Sequence, residues 1–112
     1  MEIEREEVGD VTILAFTGDF DIWNLPEARE LVNGLIETGA RMLVLNLAGL
    51  TFMTSSALGF LIKTQKDLKT LDGDLVFAAP SNYFRRTITT LGIDRIFEIF
   101  PANEDAVKYF GG

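Results

Sequence analysis

The chain has 112 residues, 47% of them hydrophobic, and a formal net charge of −7. That is enough apolar material for one packed core, and the wrong sign of charge for a nucleic-acid backbone. Cysteine and histidine are both absent, which excludes disulfides, thiolate nucleophiles, a Ser-His-Asp triad and the usual zinc sites.

The opening segment MEIEREEVGD is charged and lacks the apolar core of a secretory signal. No apolar run approaches the ~20 residues of a membrane span. The expectation is a single cytoplasmic domain over residues 1–112, without membrane insertion. EIEREE alternates as an edge strand, Gly9-Asp10 supplies a turn, and VTILAFTG reads as a buried strand ended by Gly18. The spacing of Ala28, Leu31, Val32, Leu35 and Ile36 predicts a helix, with Pro26 in its first turn and Asn24 or Leu25 at the cap. Gly39 ends it. RMLVLNL is the next apolar strand, and residues 48–53 are expected to form a loop.

A second helix is predicted from about Ser55 to Leu71, with a stripe of Leu58, Leu61, Ile62, Gln65, Leu68 and Leu71. Lys63, Lys66 and Lys69 fall on other faces, and Phe60 lies off the stripe as a second core contact or an exposed anchor. Asp72-Gly73-Asp74 stops this helix before the strand LVFAA. Pro80-Ser81-Asn82 opens a short helix carrying Tyr83, Phe84, Ile88 and Leu91, with Gly92 just past its end. IFEIF reads as a short strand or extended segment. Asn103 is expected to cap a last helix whose first turn holds Glu104 and Asp105.

The order β-β-α-β-α-β-α-β-α implies an α/β fold with a mixed, mostly parallel sheet and helices packed on it. In such sheets, ligands and partners meet the loops at the carboxyl ends of the strands. Residues 18–24, 48–55 and 79–82 share that edge. The hydroxyl run Thr54-Ser55-Ser56 is therefore expected near Asp19, Asp21 and Ser81. One hydroxyl there serves as a helix cap for stability alone. Three exceed what a cap requires, and a phosphate on one would sit in the positive field of a helix start. Asp19 and Asp21 are paired carboxylates, an arrangement more often a solvated turn than an acid/base or metal site. Phe52 and Met53 are expected to be buried under the loop. No GxxxxGK[ST] or dinucleotide fingerprint is present.

Four segments then carry a family resemblance: FTGDFDIWN, LVLNLAGLTFM, TSSALGFLI and FRRTITTLGIDRIFEIF, in order and at suitable spacing. The second and third together are the most specific. Over nearly its whole length the chain resembles the STAS domain, named for sulfate transporters and anti-sigma factor antagonists, and in particular the small free-standing antagonists. The resemblance implies a protein-binding switch and not an enzyme. Such antagonists bind an anti-sigma factor when unphosphorylated. That partner is usually also a serine kinase of the histidine-kinase-like ATPase type, and a PP2C-type phosphatase reverses its action.

Aligning the family's Asp-Ser-Ser-Gly-Leu-Gly motif on residues 54–59 puts the phosphoacceptor at Ser55, with Thr54 and Ser56 as alternatives. Thr54 stands where the family has Asp and Ala57 where it has the first Gly. Thr54 keeps capping ability but loses a charge beside the acceptor. The motif assigns Thr54, Ser55, Ser56, Leu58 and Gly59 to partner binding. Asp21 matches the family's Asp after the second strand, and the resemblance implies a binding role for it; the shared edge adds Asp19, Asn24, Ser81 and Asn82. No cofactor or metal is implied. The alternative reading is an unphosphorylated STAS scaffold subunit of a signalling or lipid-transport assembly.

Overall fold

The computed structural model describes residues 1–111. Five strands and four helices follow in the order β1 (Glu2–Val8), β2 (Val11–Phe20), α1 (Leu25–Glu37), β3 (Met42–Met53), α2 (Ser55–Thr70), β4 (Asp74–Ala78), α3 (Asn82–Thr90), a 3-10 turn at Asp94–Ile96, β5 (Ile99–Phe100) and α4 (Asn103–Tyr109). The sheet order is β1-β2-β3-β4-β5. β1 pairs antiparallel with β2, and every other neighbour is parallel.

Strict alternation along the central strands sorts side chains to two faces. Leu14 and Phe16 of β2, Leu43, Leu45 and Leu47 of β3, and Leu75 and Phe77 of β4 point to the main core, which α1, α2 and α3 cover. Val11, Ile13, Val44, Val76 and Ala78 point to the other face, where Ala106 of α4 packs on them. Phe77 anchors the main core, with the Phe84 and Phe97 ring centroids 5.0 and 4.8 Å away. Gln65 is buried on the α2 stripe, and its amide donates to the Ile96 carbonyl at 2.9 Å. Phe60 belongs to this core as well. On the opposite face the Tyr109 hydroxyl donates to Asp74 Oδ2 at 3.2 Å. Partial burial and that carboxylate push the phenol's pKa up.

Several boundaries differ from the sequence expectation. β2 runs past Gly18, whose φ of +103° accommodates an irregularity, and ends at Phe20. β3 continues through residues 48–53, where a loop was expected. Between the pairs Ala15↔Asn46 and Thr17↔Gly49, and again between Gly18↔Leu50 and Asp19↔Phe52, β3 carries one residue more than β2. These bulges turn the core-facing period from two to three, so Leu47, Leu50 and Met53 are the buried positions. Leu71 is exposed, one residue past the end of α2. β5 keeps only two residues of the expected segment, because Ile96 closes the 3-10 turn and Phe97 dives into the core. Asn103 is the first residue of α4, and the cap position is Ala102. The Asn103 carboxamide instead accepts a hydrogen bond from Asn46 Nδ2 at 3.0 Å.

Two glycines should respond to alanine with opposite signs. A Cβ at Gly73 would overlap the Arg41 carbonyl oxygen, which is fixed by its hydrogen bond from Asp74 N. A Cβ at Gly34, inside α1, would meet no atom within 4 Å. Urea denaturation should show Gly73→Ala destabilised by about 1–3 kcal/mol and Gly34→Ala stabilised by up to ~1 kcal/mol.

Candidate functional site

β4 pairs only with residues 42–46 of β3. Beyond that point the only strand paired with β3 is β2, and the two project as a ribbon past the carboxyl edge of the sheet. Two clamps hold its tip. Thr54 N donates to the Phe20 carbonyl at 3.1 Å. The Tyr83 hydroxyl accepts from Met53 N at 3.0 Å and donates to Met53 O at 3.1 Å. Helix α2 starts directly from this tip.

The three hydroxyls divide their roles there. Thr54 has extended backbone, and its Oγ1 accepts from Ala57 N at 3.2 Å, so it caps α2. Ser56 Oγ lies 3.1 Å from Thr54 Oγ1 and shares a hydrogen bond with it. Ser55 is exposed and takes no part in these bonds.

The acidic residues are structural in their contacts. Asp21 Oδ1 accepts from Trp23 N at 3.0 Å, Asn24 N at 3.1 Å and Asn24 Nδ2 at 3.1 Å. The Asp21 carbonyl also accepts from Asn24 N and Leu25 N. This turn substitutes for a side-chain cap on α1, since Asn24 occupies the cap position and makes no cap bond. Asn24 Nδ2 also reaches the Asp19 carbonyl at 2.8 Å. Asp19 sits in the strand, not in a loop, with Oδ1 accepting from Thr51 Oγ1 at 2.7 Å. Among the described residues, no group of three or more Asp or Glu side chains could hold a metal ion.

The structure thus brings Asp19, Asp21 and Asn24 to the ribbon tip beside the start of α2. Ser81 and Asn82 lie one strand further across. Ser81 N donates to Leu47 O at 3.1 Å, and its hydroxyl caps α3 by accepting from Phe84 N at 3.1 Å. Asn82 is exposed at the first position of α3. Leu58 does not belong to a surface set: it is buried in the main core. Gly59, one residue on, is exposed.

Three exposed apolar side chains accompany these groups. Trp23 is 83% exposed, Ile22 57% and Phe52 46%. Phe52 was expected to be buried, but the bulge before it turns it outward, with its ring centroid 6.1 Å from that of Tyr83. Met53 is buried as expected. Trp23 was legible as the chain's one tryptophan in a polar turn between Asp21 and Asn24, a setting that gives its ring no core to enter.

A family model described as "STAS domain" matches residues 2–106. The anti-sigma-B factor antagonist of Staphylococcus aureus is 25% identical over 87 residues, covering 78% of this chain and 81% of its own. The structure described as the anti-sigma factor antagonist SpoIIAA in its unphosphorylated form superposes with a TM-score of 0.85 at 21% identity, covering 99% of this chain and 97% of its own. The phosphorylated form of SpoIIAA, described as a Bacillus cell fate determinant, gives 0.78 at 21% identity, covering 97% and 99%. No helix among the described residues is long and apolar enough to cross a membrane. With the family model spanning both faces of the sheet and the whole ribbon, the chain belongs to the STAS domain family.

Proposed function

We propose that this chain is an anti-sigma factor antagonist that acts as a phosphorylation-controlled binding switch. It holds an anti-sigma factor while Ser55 carries a free hydroxyl and releases it once Ser55 is phosphorylated. The chain is substrate and ligand in this reading, not enzyme. The anti-sigma factor is also the serine kinase, of the histidine-kinase-like ATPase type. It transfers the terminal phosphoryl group of ATP to Ser55 Oγ, releasing ADP and the hydroxyl proton. A PP2C-type phosphatase hydrolyses the ester and restores the serine.

One observation carries this reading. Thr54 supplies the cap, Thr54 and Ser56 bond to each other, and Ser55 is left exposed at the first position of α2. Phosphate on a group with no structural duty leaves the fold intact. It adds about −1.5 to −2 charges to the surface and lies in the positive field of the helix start. The names of the relatives support the same reading, one being an anti-sigma-B factor antagonist and another a protein solved in both phosphorylation states.

The partner's chemistry follows from the edge around Ser55. Trp23, Ile22 and Phe52 offer an exposed apolar surface, with Asp19 and Asp21 beside it. The matching surface has an apolar centre. Adding negative charge at Ser55 then opposes the apolar contact by keeping the edge hydrated.

Intact-mass analysis after incubation with the cognate kinase and ATP should show one added phosphate, absent in Ser55→Ala. Thr54→Ala should still accept it while losing about 1 kcal/mol of stability with the cap. Phosphate persisting in Ser55→Ala would assign the acceptor to another hydroxyl. Ser55→Asp should weaken anti-sigma binding with little change in melting temperature, and only partly, because aspartate carries less charge than phosphate. Binding should shift the emission of Trp23, the sole tryptophan, to shorter wavelength. Unchanged emission at saturation would place the docking surface elsewhere.

A further inference from the structure

α1 and α2 both start at the carboxyl edge and run side by side, leaving a groove of about 330 Å³ between them. Its α2 wall includes Gly59 and Lys63, one and two turns below Ser55, so all three lie on one helical stripe. Arg29 of α1 stands on the opposite wall, with its guanidinium carbon 5.7 Å from the Phe60 ring centroid.

Three observations distinguish Arg29 from the other charges lining this groove. Lys63 is already paired with Asp67 at 2.8 Å. Neither of the two ion pairs among the described residues uses Arg29. Gly59, one turn from Ser55, lines the groove together with Arg29, and even a Cβ there would meet no atom within 4 Å. Glycine within a helix lowers its stability relative to alanine, and packing gives no reason for it here. What it does provide is a stretch of helix wall without a side chain, one turn or about 5.4 Å along the axis from Ser55, in the groove that Arg29 lines.

We propose that Arg29 receives the Ser55 phosphate. The guanidinium pairs with the phosphate oxygens past Gly59 and joins the starts of α1 and α2. The modification then acts through α1 as well as through local charge: it closes the upper end of the groove and draws the guanidinium from over Phe60 toward Ser55. This rests on Ser55 being the phosphoacceptor.

The test uses the full chain with phosphoserine genetically encoded at position 55, so no kinase is required. Phosphorus-31 NMR titration gives the phosphate's second pKa, which is about 6 for the free residue. Arg29→Gln should raise that pKa by roughly half a unit or more. Lys66→Gln removes an equal charge from α2 outside the groove and should change it by less than ~0.1 unit. Arg29→Lys should fall between the wild type and Arg29→Gln. The Arg29 Nε resonance should move on phosphorylation, a readout that does not depend on stability. Equal shifts in Arg29→Gln and Lys66→Gln, or no shift in either, would overturn the role of Arg29 and leave the switch standing. Failure of any kinase to modify Ser55 would remove the switch while leaving this titration readable.

Discussion

Everything at the candidate site depends on how the ends of β2 and β3 are held once the rest of the sheet has stopped supporting them. Past Asn46, β3 has no paired strand on the β4 side, and its only strand partner is β2. A two-stranded ribbon is marginal by itself. Here Phe20, Leu50 and Met53 are buried from its underside, and the Tyr83 hydroxyl satisfies both backbone groups of Met53. The Phe20 carbonyl then accepts the Thr54 amide, which sets where α2 begins. The position of Ser55 is therefore determined by packing and backbone bonds on either side of it, not by any bond of its own hydroxyl.

The same economy governs the carboxylates. Asp21 accepts three hydrogen bonds through one oxygen and closes the turn that opens α1. Asp19 is tied to Thr51 across the ribbon. Both contribute negative charge to the edge while their geometry is committed to the scaffold. Trp23 and Ile22, presented by the Asp21 turn, are large apolar side chains left exposed. A scaffold that rigidly displays large apolar groups pays little ordering entropy when they are covered, and this suits a surface built for recognition rather than chemistry.

Much of the fold was legible because its alternation is clean. Residues 11–16, 42–47 and 74–78 each divide apolar side chains between two faces, and a period of two is the plainest strand signal. The turns at Gly9 and Gly92 and the caps at Thr54 and Ser81 also follow from residue type. The ribbon was not legible, because two extra residues in β3 replace alternation with a period of three and make a strand resemble a loop. That same shift reversed the expected burial of Phe52. Asn103 misled for a different reason: its side chain had a partner 57 positions away in Asn46, and a distant carboxamide outcompeted the local helix start. At the site, the hydroxyl motif and the aspartates could be read from the sequence. Arg29 could not, since only the packing of α1 against α2 brings it near the motif.

The two borders of the sheet differ in length but have the same effect. β1 places Glu2, Glu4, Arg5, Glu6 and Glu7 within seven residues, and all five are exposed. β5 is only two residues long. Charged or very short edge strands resist pairing with another chain. Neither border therefore offers another chain much backbone hydrogen bonding. In the proposed switch, contact is made through exposed side chains at the ribbon tip, and one covalent change at Ser55 acts on it directly. A partner held by strand addition would be far less sensitive to it.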